Sequence, residues 1–402
     1  MPKAKALQIR VAEVATILAK ARPRRVLAGN TLFYPAATLY AIFVLPASAF
    51  SMMGIMGGLT GLASAAGHAH EMLFGFALAV VAGNQIGAME QTRLGLIVGL
   101  WGVSRVTFLL APQSAAAAAA GIAFAAILAA HIVPRLFRAA KKMRNQALPL
   151  VLTAICCSGI AYQIVHYSGF VSAEYTILAV AVLLFALLMI FMGGRILAPA
   201  AAGQFYRQGR SLDARIQPRI ESGLIIAMGV AVVASAIAGK SRFAGLAAAA
   251  IVSAGLLAAA RVLRWRLWAL HARPDLLCLG AGYGWLAIGL VLYGVAAATG
   301  RYQTTALHAI TVGGLGTLTL NVIAMTRLQK ARRDPSRARL QVWGTVLIGA
   351  ATLARALAGL DVADPQVLLL LASCCWSGAF ALLLVLLIRV RARLPRPESP
   401  TL

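Results

Sequence analysis

Twelve apolar runs of about 18–25 residues, parted by short basic joins, decide what this chain can become. A run of about 20 residues at 1.5 Å each crosses the hydrocarbon core of a bilayer as a helix. A helix also satisfies its own backbone hydrogen bonds, which lipid cannot do. The runs fall near 32–53, 68–89, 93–111, 114–133, 147–168, 173–194, 221–239, 242–263, 275–298, 304–327, 341–360 and 366–388. Composition agrees: 61% of the residues are hydrophobic and 12% charged, whereas a soluble domain has about 45–50% and about 25%. The expected fold is all-α, a polytopic membrane protein of about twelve transmembrane helices over 31–388. A basic segment, 1–30, precedes it and a basic tail, 389–402, follows. No cleavable signal peptide is expected, because the first apolar run comes after about thirty basic and polar residues.

The net charge of +26 would suggest nucleic acid in a soluble protein. Here the basic residues sit between apolar runs, so they read as topology and as contacts with anionic lipid headgroups, with no nucleic-acid partner. All but five of the 37 Lys and Arg residues fall on one side of a twelve-span topology. Lys240, Arg242 and Arg301 fall on the other side, and Arg105 and Arg355 lie inside runs. Cytoplasmic joins carry such an excess, so both termini are expected in the cytoplasm. The five cysteines (the neighbours Cys156 and Cys157, Cys374 and Cys375, and Cys278) all lie in apolar runs and read as buried thiols.

Ionisable groups inside a membrane are costly unless they pair, bind a metal or face a cavity. The stretch Gly67-His68-Ala69-His70-Glu71-Met72-Leu73-Phe74-Gly75-Phe76 packs three of them into four positions at the outer start of the second helix. On a regular helix His68 and His70 point about 200° apart, so one of the two is expected to face the bundle. Glu71 shares the face of His68 and could accept from its ring. Metal or haem ligation is one reading of this cluster, and capping of the helix beside interfacial water is the other. His308 stands one turn into the tenth helix, again at the outer end, and is followed by Gly313, Gly314 and Gly316. Small residues there admit either a partner helix or a flat macrocycle. His166 closes the fifth helix at the same surface. Arg105 and Arg355 each need an anion, for which Glu71, Asp361 or a cofactor carboxylate would serve, unless they reach out to headgroups. Met52, Met53 and Met56 are thioethers of the kind that suit copper(I), though methionine more often fills apolar packing.

These segments are similar to the NnrS family, bacterial inner-membrane proteins associated with nitric oxide stress and denitrification and described as containing haem and copper. The likeness rests on His68-Ala69-His70-Glu71-Met72-Leu73-Phe74-Gly75-Phe76-Ala77, Arg144-Asn145, Met192-Gly193-Gly194-Arg195 and Gly282-Tyr283-Gly284-Trp285-Leu286. It continues through His308-Ala309-Ile310-Thr311-Val312-Gly313-Gly314 and Met325-Thr326-Arg327, in the family's order. The chain also departs from the pattern. Gly83-Asn84-Gln85-Ile86-Gly87 replaces a Pro-Asn-Trp-Thr-Gly segment, and Ile196-Leu197-Ala198-Pro199-Ala200 replaces Ile-Pro-Phe-Phe-Thr. Leu328-Gln329-Lys330-Ala331 stands where the family has Gly-His-Thr-Gly, so that histidine is absent.

The resemblance implies haem b and copper as cofactors and nitric oxide as a partner. It implies His68, His70 and His308 as metal candidates, with Arg105 and Arg355 beside the cofactor and Glu71 and His166 supporting them. A more distant similarity, to the haem–copper oxidases, implies the same bundle, with a haem between histidines of helices two and ten. Ala306 stands where those enzymes place a second haem ligand. A secondary transporter and a quinol-linked oxidoreductase are the alternative functions.

The charge pattern sets an expectation for topology. Alkaline phosphatase fused after Gly169 or Gly300 should be active, and fused after Gly209 inactive; the reverse pattern would invert the orientation.

Overall fold

In the computed structural model the apolar runs become twelve helices long and apolar enough to cross a membrane, counted among the described residues. Those residues are 25–140, 143–237, 243–360 and 362–390. Expectations for most of the N-terminal segment and tail, and for Lys240, Arg242 and Asp361, lie outside them. In chain order the helices are α1 (Asn30–Met52), α2 (Ala65–Gln85), α3 (Gln91–Leu110), α4 (Ala115–Ala139), α5 (Met143–Tyr167) and α6 (Val171–Arg207). They continue with α7 (Pro218–Ala236), α8 (Ala244–Arg264), α9 (Pro274–Thr299), α10 (Gln303–Lys330), α11 (Arg339–Ala358) and α12 (Pro365–Arg389). Sheet is confined to an antiparallel ribbon of β1 (Val26–Ala28) and β2 (Ala88–Glu90), which ties the start of α1 to the link between α2 and α3.

Local chemistry sets several boundaries. Ser64 accepts from the Gly67 backbone N–H and starts α2 one turn before His68. Ser114 does the same for α4 through Ala117, so the short join at Pro112 and Gln113 separates two helices. Helix α6 was expected to end near 194, yet it continues to Arg207 and is about 55 Å long at 1.5 Å per residue. Its extension stays helical because Leu197, Ala198, Ala201 and Phe205 are buried against the bundle.

Consecutive helices pack side by side, and α12 returns to α1 to close the arrangement. Trp376 Nε1 donates to the Ala41 carbonyl at 3.1 Å and Ser377 to the Ile42 carbonyl at 2.8 Å across that seam. Helices α2 and α10 are the most enclosed: 78% of the most apolar window of each is buried. Helix α6 touches both. His68 and His308 start these two central helices, and so lie toward one face of the bundle. The arginine-rich joins after α6, α8 and α10 lie toward the other.

Near the basic face a single guanidinium joins four helices. Arg261 of α8, grouped by sequence with the basic helix ends, is 5% exposed. It donates to Glu221 of α7 at 2.8 Å, to the Ile190 carbonyl of α6 at 3.1 Å and to the Tyr283 hydroxyl of α9 at 3.3 Å. Gly194 leaves room for it, since a side chain at that position would collide with the guanidinium. The Gly193-Gly194 and Gly282-Tyr283 segments therefore meet at a buried ion pair. Losing one partner of a fully buried pair costs about 3–5 kcal/mol. Glu221, 29% exposed, can partly recover water, so Arg261→Leu should cost about 2–4 kcal/mol. Thermal unfolding in detergent checks this, and an unchanged midpoint would refute the role given to Arg261.

Candidate functional site

The histidines of α2 separate into two environments. His68 points toward α10, where its ring centre is 6.4 Å from that of His308 and the ring planes are 17° apart. Each ring is held by Nδ1. Ser48 Oγ of α1 lies 2.9 Å from His68 Nδ1, and His308 Nδ1 donates to the Thr304 carbonyl at 2.6 Å. That donation leaves the Nε2 lone pair of His308 unprotonated. Among the described residues neither Nε2 has a hydrogen-bond partner. Arg355 of α11 lies close enough to act electrostatically on both rings. It is half-buried and has no ion-pair partner among the described residues. Gly359, one turn further along α11, lies against Thr305 of α10 and brings Arg355 to this spot.

His70 points the other way, and both its nitrogens are engaged. Nε2 accepts from the Gln163 amide at 2.9 Å, which puts the proton on Nδ1, 2.8 Å from Glu71 Oε1. Its ring packs against Phe108 and Tyr162, with ring centres 4.0 and 4.5 Å away. The expectation that one of the two histidines faces the bundle is corrected: His68 meets α1 and α10 and His70 meets α3 and α5, so both face neighbouring helices. With both nitrogens taken, His70 offers no lone pair to a metal.

Glu71 is fully buried, and its partners are Arg105 Nη1 at 2.7 Å, the Tyr40 hydroxyl and His70. It does not serve His68, as the shared-face argument suggested, because its carboxylate is turned to Arg105, Tyr40 and His70. From Glu71 to Ala77 the turn widens to π-helix, and α10 widens in the same way from Ala309 to Gly316. Both wide turns begin within three residues of a histidine, and such turns are frequent at functional sites. Gly75 in the first turn makes room, since a Cβ there would meet Tyr40 at 2.9 Å, Glu71 at 3.0 Å and Arg105 at 3.1 Å. The Gly75 carbonyl accepts from Trp101 Nε1 at 2.9 Å.

The remaining candidates find protein partners. Arg105 takes Glu71, one of the anions open to it. His166 pairs with Glu174 of α6 at 3.0 Å and stacks on Tyr162 at 5.5 Å, away from His68. Gly313 and Gly314 face Trp285 and Leu286, so their small size admits helix α9. Tyr40, Ser48, Gln163 and Tyr162 escaped the sequence reading, because a single hydroxyl or amide in an apolar run carries no spacing signal. Glu174 and Glu221 carried one: acids are so few in this chain that each implies a buried partner.

Twelve spanning helices among the described residues, two of them central, with paired imidazoles near one face, define a polytopic helical membrane protein with a paired-histidine site. The family model described as NnrS protein matches residues 27–393, and the chain belongs to that family. No curated protein matches it.

The Glu71–Arg105 pair has a testable energetic signature. Arg105→Leu alone leaves a buried carboxylate short of its cation and should cost about 3–5 kcal/mol. Adding Glu71→Leu should restore part of that loss, because an apolar pair of similar volume tolerates burial better than one orphaned charge. Unfolding of both variants in detergent checks the order; a double variant less stable than the single one would sink it.

Proposed function

We propose that this NnrS-family protein holds one haem b between His68 and His308 in a bacterial cytoplasmic membrane, its basic face toward the cytoplasm, and serves the response to nitric oxide. The facing rings carry the reading. Two imidazoles that bind one metal from opposite sides, each about 2.0–2.1 Å from it, have ring centres roughly 6 Å apart; these are 6.4 Å apart and nearly parallel. Histidine ligands characteristically anchor their other ring nitrogen to a neighbouring polar group, as Ser48 and the Thr304 carbonyl do here.

The ligand number also favours haem. The described residues hold no group of three or more His, Cys, Asp or Glu placed for a metal, so two imidazoles must suffice. A macrocycle supplies the four equatorial ligands that such a pair lacks. Copper finds no comparable set, since Met52 and Met56 are exposed at the end of α1 and beyond it, and we assign it no residues.

Haem held by His68 and His308 would supply one-electron chemistry. The chain's own residues then have separate tasks. Ser48 and Thr304 fix the ring orientations, and Arg355 offers a cation to the carboxylates of the cofactor. Arg105 stays with Glu71.

An absorption spectrum of the purified protein tests the reading. A Soret band with sharp α and β bands on reduction is expected. His68→Ala and His308→Ala should each abolish that signature, His70→Gln should keep it, and Arg355→Leu should lower haem retention. A protein produced with ample haem yet colourless would overturn the reading and favour a solute transporter. So would a band that survives both His68→Ala and His308→Ala.

A further inference from the structure

The basic face carries two kinds of arginine. Arg261 and Arg273 are spent on carboxylates, Glu221 at 2.8 Å and Asp275 at 2.6 Å. Four others gather at the corner where α7 begins and α8 ends. The Glu221–Arg261 bond holds these two helix ends side by side, and so does the Gln217 amide, which donates to the Arg261 carbonyl at 3.4 Å. Arg219 lies two residues before Glu221, and Arg264 three residues beyond Arg261. Arg215 closes the short helical turn Asp213–Arg215 ahead of α7, and Arg266 forms the bend after α8, where its φ is 51°. All four are exposed. Among the described residues none of the four guanidiniums has an ion pair, a hydrogen bond or a ring contact. Asp213, an exposed acid two residues from Arg215, accepts from the Ser211 hydroxyl at 3.3 Å and offsets one charge of the four.

Below these cations both helices turn an apolar side outward. A spacing of seven residues, about two turns, keeps side chains on one side of a helix. On α7 that spacing joins Arg219 to Ile226 and Val233, both more than half exposed. On α8 it joins Leu256 to Leu263, again both more than half exposed, and Arg264 follows directly. Helix α7 has the smallest buried share of the twelve spans, 22% of its most apolar window. Trp268, two residues beyond Arg266, is exposed as well; tryptophan favours the boundary between headgroups and hydrocarbon.

Guanidinium forks match phosphate oxygens, and an apolar wall beneath them matches acyl chains. A soluble anion would use the first and ignore the second. We propose that this corner binds one anionic phospholipid carrying two phosphates, of the diphosphatidylglycerol type. Its headgroup lies on Arg215, Arg219, Arg264 and Arg266, and its chains lie along α7 and α8. Four cations facing one acid leave a surplus that a single phosphate answers only in part. The site is distinct from the general attraction of a basic face for headgroups, because it holds one lipid at one corner. It does not depend on whether the histidines carry haem.

Native mass spectrometry of the whole protein in detergent reads bound lipid directly. Tetraoleoyl diphosphatidylglycerol should be retained as one copy per chain, and dioleoyl phosphatidylglycerol supplied at equal total phosphate should be retained far less. Each basic side chain near an anionic lipid surface is worth about fivefold in affinity, so Arg219→Gln with Arg264→Gln should weaken retention roughly 25-fold. Arg332→Gln with Arg333→Gln removes the same charge from the join after α10 and should leave retention unchanged. All four of these side chains are exposed, so both double variants should fold and can be compared. Equal loss in the two variants would overturn the proposal, since it would mean diffuse attraction to the whole basic face. So would equal retention of phosphatidylglycerol, or displacement of the lipid by millimolar inorganic phosphate, which would mark a plain anion site.

Discussion

A carboxylate with no water to turn to must find its partners inside the protein, and Glu71 is the group on which the first half of this bundle depends. It draws a hydroxyl from α1, a guanidinium from α3 and an imidazole from its own helix. That imidazole in turn engages Gln163 of α5. Such a pair is weak evidence of net stability, because desolvation offsets much of the attraction. Its effect is on arrangement: four helices cannot slide or rotate without stranding a charge.

The other half solves the same problem near the opposite face. Arg261 gathers α6, α7 and α9 onto α8, much as Glu71 gathers its neighbours, but with the sign of the central charge reversed. Between the two clusters a few directional bonds join neighbours: Trp376 and Ser377 of α12 donate to carbonyls of α1, and the Gln341 amide of α11 donates to Asn321 Oδ1 of α10 at 2.6 Å. Directional bonds spread through an apolar packing suit a lipid-embedded bundle, where apolar burial gives helices little reason to prefer one another. The paired histidines lie apart from both clusters, and their Nε2 atoms are left out of either network.

Much of this was legible in the sequence. Twelve spans followed from run length alone, and the structure differs mainly at ends such as that of α6, where burial continues past the apolar window. His68 and His308 stood out because a titratable group in an apolar run is expensive. The side on which each histidine acts was not legible. The rule that one of two residues at i and i+2 must face away assumes neighbours on one side of the helix only, and α2 has them on both. Nor could spacing reveal the wide turns. They arise from tertiary crowding around Gly75 and from α9 pressing on Gly313 and Gly314. The burial of Arg261 was hidden for a simpler reason: near the end of a run, a buried arginine and a snorkelling one are spelled alike.

The wide turns also bear on how such a chain can change over generations. A π turn holds one residue more than the α turn it replaces, so the surplus is confined to a single loop of backbone. A shortened gene lacking one codon within 72–74 or 309–316 would let that loop tighten into ordinary helix while the flanking segments kept their neighbours. In the first of these turns the change would be felt in α3, because the Gly75 carbonyl accepts from Trp101 Nε1. In this architecture the places most forgiving of a deletion are the ones that set the histidines apart.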